Sequence, residues 1–270
     1  MAKASVFRSI GNYLKFKQQA VNLHGLHSPF VYNLATKCLY DKTFYDDYRL
    51  LKSYHRNLKN NTQILEITDL GAGSRIFKTN KRRVKDMAQI AGSSYAGMKL
   101  LYRLAKYFKP GTILELGTSL GKGTYALALG QPEAKIVTVE GDLALANLAK
   151  IQLTQTGLTN IEVINDDFDR FLIDLNQTNQ TLDLVYLDGN HRFEPTLRYF
   201  NLLQKHLHNN SVVVVDDIYW SPEMMRAWEA LKQHNHVKQS IDVFYFGLLF
   251  FRKEQYEQNF KIDLHTLNLF

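Results

Sequence analysis

Two glycine-rich segments in this 270-residue chain have the residue types of a nucleotide-cofactor loop: Asp69-Leu70-Gly71-Ala72-Gly73-Ser74, after Ile64-Leu65-Glu66-Ile67, and Glu115-Leu116-Gly117-Thr118-Ser119-Leu120-Gly121, after Ile113-Leu114. Such a loop carries meaning when it follows a strand, opens a helix and is followed about 20 residues later by an acidic side chain. The first segment runs into the polar, basic stretch Phe77–Lys85 (FKTNKRRVK), and no strand with an acidic end follows it. The second runs into Thr124-Tyr125-Ala126-Leu127-Ala128-Leu129, a small and apolar helix, and then into the strand-like Lys135–Val139, which ends at Glu140. Glycines at a strand-to-helix turn allow unusual backbone angles and close approach of a ligand. A carboxylate at the end of the next strand accepts hydrogen bonds from ribose hydroxyls. A dinucleotide would place its pyrophosphate on the same helix N-terminus. Glu115, two positions before the first glycine, repels phosphate and suits an amino group instead.

Further acidic residues fall at the ends of later strands. Asp188 closes one apolar run, in Asp188-Gly189-Asn190-His191, and Asp216-Asp217 close the next, after Val212–Val215. In an open α/β sheet these ends share one crevice. Carboxylates converging there repel one another unless a cation or another positive group joins them. An oxygen-rich set of this kind suits Mg²⁺ or Ca²⁺. His191 beside the crevice can take a proton near neutral pH. Asn190, Tyr219 and Trp220 are placed to shape a pocket.

The elements that must position these residues alternate regularly. Strand candidates are Thr112–Leu116, Lys135–Glu140, Ile161–Ile164, Leu182–Leu187 and Ser211–Val215. Helical stretches lie between them at Gly121–Leu129, Leu143–Thr156, Phe168–Leu175 and Pro195–His206. This predicts βαβ units and a mostly parallel sheet covered on both faces. After a helix near Pro222–His234, the runs Val237–Asp242 and Phe244–Phe251 are too close for a crossover helix, so they are expected as antiparallel neighbours.

The chain is 45% hydrophobic, enough for a substantial core. Its longest apolar run, Val243–Phe251, falls short of the roughly 20 residues of a membrane-spanning helix. No secretory leader is evident, and the single cysteine, Cys38, suits a reducing, cytoplasmic setting and reads as a small apolar residue. Residues 1–110 hold 20 Lys/Arg against 6 Asp/Glu, a net +14, whereas residues 111–270 hold 13 against 20, a net −7. The basic part fits either an anionic partner, such as an acidic substrate, nucleic acid or a membrane surface, or the acidic part of its own chain. Val6, Phe7, Ile10, Leu14 and Ala20-Val21 fall near helical spacing and are expected to pack on the chain's own domain, and Phe77–Lys85 is expected as an exposed loop or lid.

Glu115 and Glu140 together favour S-adenosylmethionine over a nicotinamide cofactor. The runs Glu-Leu-Gly-Thr-Ser-Leu-Gly (115–121), Thr-Val-Glu-Gly-Asp (138–142) and Leu-Asp-Leu-Val-Tyr-Leu-Asp-Gly-Asn-His (182–191) resemble the class I S-adenosylmethionine-dependent methyltransferases. Within them they are most similar to the catechol and caffeoyl-CoA type O-methyltransferases, over roughly residues 95–252. The whole chain, including His24-Gly25-Leu26-His27-Ser28-Pro29-Phe30, resembles methyltransferases of Bacteroidetes-type bacteria. The resemblance implies a Rossmann-like α/β fold with a seven-stranded sheet of order 3-2-1-4-5-7-6, strand 7 antiparallel, and a basic, mostly helical N-terminal extension (1–94) before the cofactor-binding domain (95–270). It further implies that Glu115, Gly117, Thr118, Ser119 and Gly121 line the methionine and ribose end, with Glu140 and Gly141 at the ribose and Asp188 beside the cofactor. Asp167 would face the adenine amino group and Phe168 the ring, although Asp166 or Asp167 also reads as a helix N-cap.

The same resemblance places a divalent metal, Mg²⁺, on Asp188, Asp216 and Asp217, and a base three residues after the first of these. Here the chain departs from the pattern twice: Asp217 stands where the family has Asn, and His191 where it has Lys. The expected activity is O-methylation of a small, acidic or phenolic molecule, with His191 as base and Asp188 beside it. Nucleic-acid or protein methylation through the basic N-terminal part, and cofactor binding without catalysis, are the alternatives.

Overall fold

The computed structural model describes residues 2–68, 80–90 and 92–264, with side chains from Ile10 onward. Its centre is a sheet whose strands follow the apolar runs of the sequence: β3 (Thr112–Leu116), β4 (Lys135–Glu140), β5 (Ile161–Asn165), β6 (Leu182–Leu187), β7 (Leu207–Asp216), β8 (Gln239–Asp242), β9 (Phe246–Phe250) and β10 (Gln258–Lys261). The spatial order is β10-β8-β9-β7-β6-β3-β4-β5. From the β5 end, the first seven strands have the expected order 3-2-1-4-5-7-6. β9 runs antiparallel to both β7 and β8, joined to β8 by a turn at Val243–Tyr245. The addition is β10, an eighth strand parallel to β8. Its residues Gln258-Asn259-Phe260-Lys261 are mostly polar and have no apolar alternation, so they do not read as a strand.

Helices α6 (Lys122–Gly130), α7 (Leu143–Thr154), α8 (Phe168–Leu175), α9 (Phe193–Leu203) and α10 (Pro222–Lys232) cross between the strands. Their starts are capped by sequence-local means. Asp142 and Ser221 accept hydrogen bonds from the first turns of α7 and α10, and Pro222 stands in the first turn of α10, where its missing N–H costs nothing.

The N-terminal part contributes α1 (Ala2–Gln19), α2 (Pro29–Leu34), α3 (Asp47–Asn60), a hairpin of β1 (Ile64–Glu66) and β2 (Lys81–Arg83), α4 (Val84–Ile90) and α5 (Tyr95–Phe108). Residues 80–85 of the predicted basic loop are therefore strand and helix start: Arg82 faces inward between the exposed Lys81 and Arg83, a strand alternation that its charge conceals. The other glycine-rich segment, Asp69–Ser74, lies outside the described residues, as do positions 77–79 of the basic stretch. Val31, Leu34, Leu51 and Leu58 pack in one cluster with Leu101, Leu127 and Phe250, so these helices and the sheet bury a common core. Cys38 is in that core, and burial pushes its thiol up to about 12, leaving it un-ionised and inert. Among the described residues no helix is long and apolar enough to cross a membrane.

Candidate functional site

The site is built where β3, β4, β6 and β7 end. The turn after β3 is held by Gly117 and Thr118, whose amides donate to the Val139 carbonyl at 2.9 and 3.3 Å. Gly117 has φ +107, and a Cβ there would lie 2.4 Å from the carbonyl oxygen of Asp188, so the β3–α6 turn and the β6–α9 loop touch through a glycine that nothing larger can replace. A Cβ on Gly189 would likewise meet the Phe168 ring at 2.4 Å. Glycine at 117, 121 and 189, with Ser119 at φ +47, leaves a cradle of backbone free of side-chain bulk.

Glu140, at the end of β4, accepts from the Ser119 amide through Oε2 at 2.8 Å and from the Asp142 amide through Oε1 at 3.0 Å. Burial raises its carboxyl above the usual range. One side chain thus ties the β3 turn to the β4 turn, and Gly141 lies between its own anchor points.

Glu115 stands in the middle of β3, opposite Thr138 on one side and Tyr186 on the other. It is only 1% exposed. Its Oε2 accepts from Thr124 and, at 2.5 Å, from Thr138, whose hydroxyl lies 2.6 Å from that of Thr118. Burial pushes its carboxyl up to about 7, against the hydroxyl bonds that favour the ionised form. The expectation that Glu115 lines the ligand directly is therefore revised. It sits beneath the turn and braces it, with Oε1 unpartnered among the described residues.

Asp167 caps α8, Oδ1 accepting from the amides of Asp169 and Arg170, while Asp166 pairs with the Arg170 guanidinium. Phe168 lies beside Gly189 and meets Tyr199 edge to face at 5.7 Å.

Asp188 and Asp216 meet over Tyr186, whose hydroxyl lies 2.7 Å from Asp216 Oδ2 and 3.1 Å from Asp188 Oδ2, with Ser93 Oγ at 2.9 Å on its other side. One phenolic proton serves one carboxylate at a time, and burial raises both carboxyls, Asp188 to about 8 although its hydrogen bond with Asp216 lowers it, and Asp216 further through the charge of Asp188. His191 Nε2 lies 3.7 Å from Asp188 Oδ1. Asp217, at φ +52, donates its amide to Asp216 Oδ1 at 2.8 Å. Among the described residues no group of three or more His, Cys, Asp or Glu side chains forms a metal-holding set. The donor set expected of Asp188, Asp216 and Asp217 does not fit a divalent ion in this arrangement.

A buried cation, Lys122, is the first residue of α6. It is 3% exposed, donates to the Ala88 carbonyl at 2.9 Å, and burial lowers its ammonium to about 8 even though Asp188 and Asp216 favour the charged form. The sequence reading assigns Lys122 no role. The available signal was its company: a lysine opening a helix that is otherwise small, hydroxylic and apolar.

The N-terminal helices complete the site's back wall. Tyr54 of α3 donates to the Leu120 carbonyl inside the glycine turn at 2.9 Å and packs on Tyr125 at 4.6 Å between ring centroids. Thr68 donates its amide to Asp142 Oδ2 at 2.6 Å. Tyr54→Phe is expected to remove about 1 kcal/mol of stability, a fall of roughly 2–4 °C in thermal midpoint. An unchanged midpoint would show that the turn does not depend on α3.

Comparison with known proteins agrees with this geometry. The methyltransferase domain family matches residues 114–218, from β3 to just beyond β7. An uncharacterized protein of Acanthamoeba polyphaga mimivirus is 27% identical over 141 residues, 47% of this chain and 63% of that protein. A probable ribosomal RNA small subunit methyltransferase A of Methanosphaera stadtmanae is 39% identical over 56 residues, 21% of this chain and 20% of that protein. The chain thus spans less than two thirds of the length of these curated relatives. Among solved structures, the S-adenosylhomocysteine-bound methyltransferase PaMTH1 of Podospora anserina superposes with a TM-score of 0.57 at 14% identity, over 84% of this chain and 97% of that one. The O-methyltransferase TomG of Streptomyces achromogenes, in complex with S-adenosylmethionine, gives 0.54 at 20% identity, over 82% and 95%. The molecule therefore has the class I methyltransferase fold, with a methyltransferase domain at residues 114–218.

Proposed function

We propose that this protein is an S-adenosylmethionine-dependent methyltransferase that methylates an oxygen of a small molecule. The observation that carries the reading is the cradle at the carboxyl ends of β3, β4 and β6. There the Gly117–Gly121 turn, the Glu140 carboxylate and the Asp188-Gly189 loop come together, with glycine where a Cβ would strike the neighbouring segment, at the place where α/β sheets bind their ligands.

In this reading Glu140 accepts from the ribose hydroxyls, and Gly117, Thr118, Ser119, Gly121 and Gly141 allow close approach of the backbone. Phe168 packs on the adenine ring, and Asp167 keeps Oδ2 for the adenine amino group while Oδ1 caps α8. The cofactor, when bound, supplies a methyl group on a sulfonium. His191 takes the proton of the acceptor hydroxyl, and Asp188, 3.7 Å from its Nε2, orients the ring. Most of the acceleration comes from holding acceptor and methyl group in line. No step runs through a metal ion.

Calorimetry with S-adenosylhomocysteine tests the reading: binding at sub-millimolar concentration is expected, and its absence would remove the assignment. For the base, His191→Ala should lower kcat by about 10²–10⁴ and leave S-adenosylhomocysteine affinity unchanged. A variant that turns over at the parental rate excludes His191.

The net +14 of residues 1–110 favours a second reading, a polymeric anionic acceptor. Part of that charge is used internally: Arg103 donates to the Cys38 and Leu39 carbonyls, Lys99 lies over Tyr48 and Tyr95, and Lys106 lies over Tyr45 and Tyr102. RNA binding that weakens steeply with salt would support this second reading.

A further inference from the structure

Between α1 and α10 lies an open groove of about 670 Å³, within the size range of small-molecule sites. Its floor is apolar and firmly packed: Phe16, Ile218 and Trp228 are each at most 2% exposed. Its rim is cationic. Lys15, Arg226 and Lys261 line it, none of them ion-paired with a carboxylate among the described residues. Lys261 donates to Gln19 at 2.7 Å, and Arg226 lies over the Phe193 ring at 5.1 Å. The only lining carboxylate, Glu229, is paired with Lys232 at 2.8 Å. Two lining residues are chain neighbours of crevice residues: Phe193 follows His191 by two residues, and Ile218 directly follows Asp217.

We infer that this groove binds an amphipathic organic acid, with its aromatic or acyl body on the half-buried Phe193 and Met225, which stand beside the packed Phe16, Ile218 and Trp228, and its carboxylate on the Lys15–Arg226–Lys261 rim. An apolar floor rewards burial of the body, and three cations, with the one lining acid already neutralised, favour a single negative group. As a binding site the groove stands on these observations alone. As the acceptor site it rests on the methyltransferase reading, because its lining residues Phe193 and Ile218 stand next to His191 and Asp217 in the chain.

The test compares trans-cinnamate with cinnamyl alcohol, which share a body and differ in charge. Binding is measured by calorimetry on the full chain, with and without saturating S-adenosylhomocysteine. Cinnamate is expected to bind at least tenfold more tightly than the alcohol at low salt. The double variant Lys15→Gln/Arg226→Gln, altered only at exposed positions, should lose that preference while keeping its affinity for S-adenosylhomocysteine. Equal binding of the two probes, a preference that survives the double substitution, or no binding of either by protein that does bind S-adenosylhomocysteine would each overturn the inference and leave the methyltransferase reading intact. Selective binding of cinnamate by protein that fails to bind S-adenosylhomocysteine would support the groove and remove the methyltransferase reading instead. A concentration-dependent dimer that excludes both probes would give the groove to a second copy of the chain, and so overturn it.

Discussion

Lys122→Met is expected to destabilise the protein by about 1–3 kcal/mol near pH 7, the cost of removing a buried cation that donates to the Ala88 carbonyl and that Asp188 and Asp216 favour. At roughly 2–4 °C per kcal/mol for a chain of this size, the thermal midpoint should fall by roughly 2–12 °C. The physical reason is the pair Asp188 and Asp216, both buried and both reaching for the one hydroxyl of Tyr186. With the ammonium gone, the pair must hold a proton more tightly. The double variant Lys122→Met/Asp216→Asn should recover most of the loss, because it removes a charge along with its counter-charge. If the double variant is as unstable as the single one, Lys122 acts through packing and its bond to the Ala88 carbonyl, and the electrostatic account fails. The pair also has a pH signature. The Asp188 carboxyl is pushed up to about 8 in the folded protein, against an ordinary value near 3.8. Its contribution to stability is therefore complete at low pH and is lost as pH rises towards about 8, since the folded chain keeps a proton that the unfolded chain sheds. Asp188→Asn should flatten this slope in a series of thermal melts.

Gly117→Ala should have the largest effect on cofactor binding. The added methyl would lie 2.4 Å from the Asp188 carbonyl oxygen, at a residue whose φ of +107 already disfavours a side chain. Either the β3–α6 turn or the β6–α9 loop must move, and both walls of the cradle are made of these segments. Affinity for S-adenosylhomocysteine is expected to fall at least a hundredfold, about 3 kcal/mol. Gly157→Ala is the control. Its φ is +79, yet nothing lies within 4 Å of the added Cβ, so it carries backbone strain alone and should cost about 1 kcal/mol of stability without touching cofactor affinity. If both variants bind equally well, close approach at position 117 is not what shapes the cradle.

The strands that hold these residues were readable because both faces of the sheet are covered. β3, β4 and β6 coincide with the apolar runs Thr112–Leu116, Lys135–Glu140 and Leu182–Leu187, and the short gap after Asp242 forced the antiparallel β8–β9 pair. The glycine turn was readable because its conformation demands glycine. What stayed hidden depends on partners distant in the chain. Nothing near Lys122 in sequence shows that it is enclosed by Ala88, Asp188 and Asp216. Tyr186 lies in an ordinary apolar run, and its hydroxyl gains meaning only from Ser93 and Asp216, 93 and 30 residues away. The carboxylates at 188, 216 and 217 are expected from their types to need positive charge nearby. Residue types alone could not distinguish a metal from a lysine.

The strand β10 has a consequence for assembly. A twisted sheet is most vulnerable at its rims, where unpaired backbone groups invite a strand from another molecule. Here β8 is shielded by β10, which is only four residues long and carries Lys261, and beyond it the chain is met by Val21, whose amide donates to the Lys261 carbonyl at 2.8 Å. The opposite rim, β5, has five residues, with Glu162, the second of them, exposed. Neither rim offers a long, flat, uncharged template, so copies of this molecule that associate must do so through helix and loop surfaces rather than by extending one another's sheets.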